Sequence, residues 1–371
     1  MPEPGSMSEP QTRSRPLSGS EFGPAMPALR GGRPGNGGVS RRKALRAGGA
    51  AGLLLAMGGG LTAAILRRAG LHSASDTRTR MGTLVHVTVV HPDASRASEL
   101  AGAAFHEIDR LEAVFSGYRP EAPVSRLNRD GVLDDPPAEL VAVVRRALHF
   151  AELTGGAFDP TVPPLIEVYR SSFAKTDAPP AANALEEAMS RVGHRHVAAD
   201  AGRIAFARPG MALSLDGIAK GYILDRVVAL VTGAGAAGVL ADGGGDISAG
   251  EGEVAGTGWP VGIEHPREPG TVLGTIEVRH QGVATSGDYM RAHTADLRHH
   301  HIVDPRTGAS PGHASAATVV ARTAMDADVL ATAAMVLGPV RGIELLERVD
   351  GAEGLIVTKE LDLVRSSGFG A

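Results

Sequence analysis

The chain has 371 residues, of which 43% are apolar and 21% charged, with a net charge of −4 and only 4% aromatic residues. That length can bury a full core, as one large domain or two, so this is not a small stapled scaffold. With no cysteine, disulfides, zinc thiolate sites, iron-sulfur clusters, thiol nucleophiles and a lipidated amino-terminal Cys are excluded, and any metal must take oxygen or imidazole ligands. An acidic balance with few aromatics offers no basic, base-stacking surface, so nucleic acid is not an expected partner.

Residues 1–39 are rich in Pro, Gly, Ser and Arg without an apolar period, the composition of a disordered tail. Ser40-Arg41-Arg42-Lys43-Ala44-Leu45 then leads into an apolar, Gly-rich and Ala-rich stretch from Ala47 to Leu66, the layout of a charged n-region and an h-region. Residues 40–75 therefore resemble a twin-arginine export signal. An uncleaved membrane anchor through 47–66 is the alternative, since the run is about as long as a marginal bilayer span. Ser73-Ala74-Ser75 supplies small residues for a cleavage site. Either way the body, residues 76–371, is expected outside the cytoplasm.

From Met81 the texture changes to compact α and β segments. The β-branched run from Leu84 to Val90 reads as a strand, and Asp93 or Ser95 can cap the helix after it, which carries Ala104, Ile108, Leu111 and Phe115 at helical spacing. A second helix runs from about Pro137 to Leu153 and stops at Thr154-Gly155-Gly156. Thr176 to Ala184 reads as a surface connection. Short strands are expected near His196 and Met211, then a helix from Gly217 to Val231 and strands at Val239, Val261, Ile276 and Val283. The last third adds a strand at Ala317 to Ala321, helices at about Met325 to Val336 and Pro339 to Val349, and a strand at Leu355 to Thr358. Strands and helices do not alternate one for one, which favours an α+β body of mixed sheets with flanking helices over a doubly wound sheet. No internal repeat of fixed period is present.

Several short motifs sit at element ends, where backbone can approach a ligand. In Asp326-Ala327-Asp328-Val329-Leu330-Ala331-Thr332 a helical turn puts Asp328 and Thr332 on one face, offering a carboxylate and a hydroxyl to one hard cation; capping and packing is the competing reading. Gly155-Gly156-Ala157-Phe158-Asp159-Pro160-Thr161 offers bare amides, an aromatic face and a carboxylate, or simply a helix stop. Asp216-Gly217-Ile218-Ala219-Lys220-Gly221 opens a helix and puts amides and an ammonium where a phosphate can sit, although it lacks the Walker spacing. Asp242-Gly243-Gly244-Gly245-Asp246 and Ser286-Gly287-Asp288-Tyr289 are further polar turns. His299-His300-His301 on a strand would point to opposite faces, so the three cannot share a metal. A solvated cluster suits His299, and one of the others remains available as a base.

Taken together, M-G-T from Met81, F-S-G-Y…V-S-R-L-N from Phe115 to Asn128, T-G-G-A-F-D-P-T from Thr154, D-G-I-A-K-G-Y from Asp216, D-G-G-G-D-I from Asp242, S-G-D-Y from Ser286, H-H-I-V-D-P-R-T-G from His300 and A-D-V-L-A-T from Ala327 occur in the order seen in the ApbE family of FAD:protein FMN transferases. The match spans about Met81 to Gly338. The resemblance implies a single compact, T-fold-like body that cleaves FAD at its pyrophosphate and passes FMN to a threonine hydroxyl of an extracytoplasmic acceptor protein, releasing AMP. It implies magnesium held by Asp328, Thr332 and the Gly217 carbonyl. Met81, Tyr118, Ala157, Phe158, Asp159, Lys220 and Ile302 are implied around FAD, which is a substrate.

For the group that takes the threonine proton, His301 is the first candidate and Asp288 the second. One departure stands out: where relatives carry L-D-L-G, this chain has Leu213-Ser214-Leu215-Asp216, so Ser214 replaces the aspartate that contacts the flavin nucleotide. FAD hydrolysis to FMN and AMP, and an exported flavin-binding protein without turnover, are the alternative functions.

Overall fold

The β-branched run after Arg80 forms a hairpin with the segment before it. The computed structural model describes Leu66 and residues 69–254 and 256–370; the expected tail at 1–39 and, apart from Leu66, the apolar run 47–66 lie outside the described residues. Strands β1 (His72–Arg80) and β2 (Thr83–His91) pair antiparallel. Their two turn residues, Met81 and Gly82, have φ of 51° and 73°, the double positive φ that suits the twist of a two-residue hairpin. The ladder begins at His72, ahead of the boundary expected at 76, and it pairs Ser73, Ala74 and Ser75 with Val90, Val89 and Thr88.

The elements that follow are α1 (Ala94–Phe115), α2 (Pro123–Asp130), β3 (Val132–Asp134), α3 (Ala138–Leu153), α4 (Pro163–Thr176), α5 (Ala182–Met189), β4 (Val197–Ala199), β5 (Arg203–Phe206) and α6 (Ala219–Gly233). Then come β6 (Gly238–Gly243), β7 (Ile247–Ala249), β8 (Trp259–Glu264), β9 (Val272–Val278), β10 (Gln281–Gly287), β11 (Ala314–Ala321), α7 (Ala324–Leu346), β12 (Glu353–Thr358) and β13 (Leu363–Arg365). Eight strands make one antiparallel sheet in the order β1-β2-β6-β7-β10-β11-β12-β13; β3-β5-β4 and β8-β9 are smaller sheets. The α+β class holds.

Period-two alternation decides the layers. Val85, Val87 and Val89 of β2, Val239 of β6 and Ala284 of β10 face the main core with Ile108 and Leu111 of α1, Leu224 and Val227 of α6 and Val329 and Leu330 of α7. Their neighbours Val90, Leu240 and Val283 point the other way, onto Trp259 and Val261 of β8. Asp93 caps α1, its Oδ1 accepting from Ser95 N at 2.8 Å and Arg96 N at 3.0 Å. Helix α7 is long and apolar enough to cross a membrane by composition, but 61% of its apolar window is buried in the fold; it is the core helix. Gly338 (φ 77°, ψ 179°), followed by Pro339, kinks it, dividing it where two helices were expected.

Helices α6 and α7 approach closely enough that a Cβ on Gly221 would stand 2.3 Å from the Ala324 carbonyl oxygen. Only glycine admits that crossing.

Four sequence expectations give way. No strand forms near Met211; residues 211–215 belong to none of the sheets, and the Asn128 side chain takes the place of a neighbouring strand, accepting from Leu213 N at 2.7 Å and donating to Leu213 O at 2.9 Å. Thr176 to Ala184 is shorter as a connection than expected, because α4 runs to Thr176 and α5 opens at Ala182. Helices α2, α4 and α5 and strands β1, β3, β5, β7 and β13 were not foreseen. His299 to His301 lie in a loop whose ladder contact is the single bridge Ala292↔His300.

Candidate active site

Helix α7 carries Asp328 and Thr332 one turn apart, so both project from one face. Its amino terminus is set by Thr323, whose side chain accepts from Asp326 N at 3.1 Å, and by Asp225 of α6, which accepts from Ala324 N at 2.9 Å and Met325 N at 3.0 Å. Ser248 Oγ donates to the same Asp225 carboxylate at 2.7 Å. Asp326, the extra acid beside the pair, turns away and takes a two-point bond from Arg146, at 3.0 and 2.6 Å.

Against that face lies the start of α6. Lys220 Nζ stands 2.5 Å from Asp246 Oδ2 in the β6–β7 turn. Asp328 is buried, and its Oδ2 has no hydrogen-bond partner. Burial first, then the Asp246 charge, pushes its pKa well above the ordinary carboxylate range, against the opposing pull of Lys220 and the Gly221 amide. Burial works against the Lys220 ammonium too, but Asp246 and Asp328 outweigh it and raise its pKa. Asp242, whose Oδ1 accepts from Gly245 N at 3.0 Å, is pushed up to about 6, chiefly by burial. Three carboxylates thus surround one ammonium.

Gly217 closes this corner. A methyl group placed on it would lie 3.5 Å from Thr332 Oγ1 and 3.4 Å from the Phe158 ring, so the turn sits between the hydroxyl and an aromatic edge. Thr332 Oγ1 is 3.2 Å from Ser286 Oγ at the end of β10. Asp328, Thr332, Gly217, Lys220 and Phe158 therefore converge.

The remaining residues named for the nucleotide divide between the surface beside this corner and the buried interior. Met81 donates its N–H to Glu112 Oε2 at 3.1 Å, and its side chain packs against Gly243. Tyr118 is 76% exposed, and its hydroxyl donates to Asp216 Oδ2 at 2.8 Å. Ser214 Oγ accepts from Asp216 N at 3.1 Å, and Ser214 N donates to Pro160 O at 2.8 Å. Ala157 and Ile302 are buried in one small apolar cluster with Met335 of α7.

Asp159 is engaged within its own loop. Its Oδ1 accepts from Thr161 N at 2.9 Å and Oγ1 at 2.6 Å, while its Oδ2 takes His194 N at 2.9 Å and pairs with His194 Nδ1 at 2.8 Å. It shapes the turn that presents Phe158.

The three histidines divide. His299 is not a solvated cluster: with His293 it joins Tyr169 and Phe173 of α4 in an aromatic stack, the His293 and Phe173 rings 5.0 Å apart and 6° from parallel. His300 is fully buried and its Nε2 lies 3.3 Å from Pro311 O. His301 is partly buried, donates its backbone N–H to Arg291 O at 3.0 Å and keeps a buried, unpartnered Nδ1. Burial, reinforced by His300 and Arg291, lowers its pKa to about 4, so its imidazole is neutral near pH 7 and able to accept a proton.

Asp288, the second candidate base, is fully buried. It takes a two-point bond from Arg267, both contacts 2.7 Å, and another from Lys359 at 2.5 Å. Lys359 also donates to Leu297 O at 3.2 Å. The carboxylate is engaged as an anchor of the loop that carries His301. Asp225 was not singled out from sequence, and Asp246 appeared only as part of a polar turn, since each acts on residues distant in the chain.

Known proteins resemble this chain over most of its length. An FAD:protein FMN transferase of Treponema pallidum is 33% identical over 81% of this chain and 89% of that protein, and one of Salmonella typhimurium is 30% identical over 76% and 83%. The ApbE protein of Thermotoga maritima superposes with a TM-score of 0.72 at 29% identity, covering 80% of this chain and 98% of that one. Flavin transferase ApbE from Vibrio cholerae gives 0.71 at 26% identity, over 81% and 98%. The class is that of a transferase. The family model described as "ApbE family" matches residues 81–356, and the chain belongs to the ApbE family.

Proposed function

We propose that this chain transfers FMN from FAD to a threonine hydroxyl of an acceptor protein outside the cytoplasm, releasing AMP, with magnesium as cofactor. The observation that carries the reading is the convergence of Asp328, Thr332 and Gly217 with Lys220 on one corner of the fold. Asp328 Oδ2 is buried without a partner, and three carboxylates face one ammonium, so the corner fits an added cation. Among the described residues no set of three or more His, Asp or Glu groups forms a metal cage. A hard ion held by one carboxylate, one hydroxyl and one carbonyl, with positions left for water and phosphate, matches magnesium better than zinc.

When bound there, magnesium would offset the pyrophosphate charge, worth several kcal/mol. The chain's own residues do the rest. Lys220 lies beside the phosphates, and Phe158 and Tyr118 offer flat faces to the rings. His301 takes the threonine proton as Oγ forms its bond to the flavin-side phosphorus, while the bond to the bridging oxygen breaks and that oxygen departs with AMP. The anchored Asp288 carboxylate leaves His301 as the better base. Arg41, Arg42 and the apolar run 47–66 support export or anchoring, with the acceptor met on the outer side.

The test is to incubate the full chain with FAD, magnesium and a flavin-acceptor protein and weigh the acceptor. Gain of an FMN mass on a threonine, with AMP in equal amount, is expected. AMP without acceptor labelling points instead to hydrolysis, and bound FAD without turnover points to flavin binding alone.

A further inference from the structure

Helix α3 ends at Leu153, and a short segment carries the chain from there to Phe158, whose ring borders Gly217. The segment passes through Gly155 and Gly156, at φ 61° and 78°, so it has little side chain with which to hold itself. His194, which opens a one-turn helix (His194–His196) after α5, reaches both of its ends. The ring's Nδ1 lies 2.8 Å from Asp159 Oδ2, just past Phe158, and its Nε2 lies 3.2 Å from Glu152 Oε2, just before Leu153. Carboxylates only accept, so each ring nitrogen donates where it makes its bond. The Glu152 side chain is 62% exposed and shared with Arg195, whereas that of Asp159 is 4% exposed. Water screens the first contact, and the second is the stronger. Asp159 is a fixed point for the turn: Thr161 engages its Oδ1, the His194 backbone N–H shares its Oδ2, and Gly193 N ties the same two turns together by donating to Thr161 Oγ1 at 2.7 Å.

We propose that His194 is a positioning residue for FAD binding: through its Nδ1 bond to Asp159 it holds the turn that aims the Phe158 ring at the dinucleotide. This rests on the FMN-transfer reading above, in which Phe158 offers its face to a ring of FAD. With the turn fixed before substrate arrives, little ordering of Phe158 remains to be done on binding. Without the bond, the two-glycine segment is tied at Asp159 by backbone and threonine contacts alone, and part of the binding free energy goes into ordering it. That cost falls equally on the bound substrate and on the transition state, so it raises KM and leaves kcat in place.

The test compares the full chain with His194→Asn and His194→Gln. The Asn amide nitrogen stands about where Nδ1 was and can still donate to Asp159, while the Gln amide nitrogen stands about where Nε2 was and can reach only Glu152. FAD is titrated by flavin fluorescence without magnesium or acceptor, well below each denaturation midpoint, so that loss of fold does not count as loss of binding. His194→Gln is expected to weaken FAD about tenfold and His194→Asn to stay close to wild type. In acceptor labelling, His194→Gln should raise the KM for FAD by the same factor with kcat unchanged. An unchanged FAD affinity in His194→Gln overturns the proposal. So does an equal loss in both variants, or a greater loss in His194→Asn, which would mean that the ring acts through Glu152 and merely secures the end of α3. A wild type that binds FAD but labels no acceptor refutes the transfer reading and leaves the binding comparison standing.

Discussion

The Asp225 carboxylate on α6 accepts the Ala324 N–H at the start of α7 at 2.9 Å. One helix thereby caps another. The bond fixes the rotation of α7 about its axis, and with it the direction in which Asp328 and Thr332 project. Replacing Asp225 with Ala leaves buried amides unsatisfied and is expected to cost about 1–2 kcal/mol, or somewhat more. A lowered denaturation midpoint together with weaker magnesium binding by calorimetry is the expected pair of results; loss of stability with unchanged magnesium affinity would show that the cap does not orient the site.

Asp328→Asn removes a buried carboxylate that has no hydrogen-bond partner on Oδ2. Because burying an uncompensated charge is costly, the metal-free protein should be as stable as the wild type or more so. Acceptor labelling should fall about 10³-fold, in line with several kcal/mol of lost charge stabilisation. Thermal denaturation with and without magnesium checks both halves, since the wild type should gain stability from the ion and the variant should not.

His301 titrates at about 4 in the fold, below its ordinary 6.5, mainly through burial. As the proton acceptor it should make the labelling rate rise with pH through about 4 and level off above. His300 is lowered to about 4 by burial as well. For a group whose folded pKa is depressed in this way, the unfolded chain takes up protons that the fold refuses. Stability should therefore fall as pH drops from about 6.5 towards 4. A labelling profile centred near 6.5 or above, measured with stability monitored in parallel, would remove His301 from the role of base.

Asp288→Asn separates anchoring from catalysis. The carboxylate is fully buried and binds Arg267 and Lys359, so its loss leaves two cations without their partner, at a cost of about 3–5 kcal/mol. His301→Gln should abolish labelling with little change in denaturation midpoint. Should Asp288→Asn instead lose all activity at full stability, Asp288 and not His301 would be the proton acceptor.

Much of the fold is local and therefore readable in the chain. The alternation in Leu84 to Val90, the Asp93 cap, the Gly155-Gly156 stop and the Gly338-Pro339 break act over a few residues, through backbone geometry that any context preserves. Spacing along α7 was enough to pair Asp328 with Thr332. The stretch at Leu213 misled because its backbone is satisfied by the Asn128 amide, 85 residues away in the chain, and not by a strand. The role of Asp288 was equally hidden, since its partners Arg267 and Lys359 come from separate turns.

The sequence by itself determined the α+β class, most helices, the family resemblance and the residue types offered to a dinucleotide and a hard cation. Only the tertiary structure decided which carboxylates are engaged and which remain available. It set Asp246 on Lys220, turned Asp326 out to Arg146, buried Asp288 between two cations and left Asp328 Oδ2 without a partner. The physical reason is that a charged group's state depends on the dielectric and on neighbours within a few ångströms, and those neighbours arrive from distant parts of the chain.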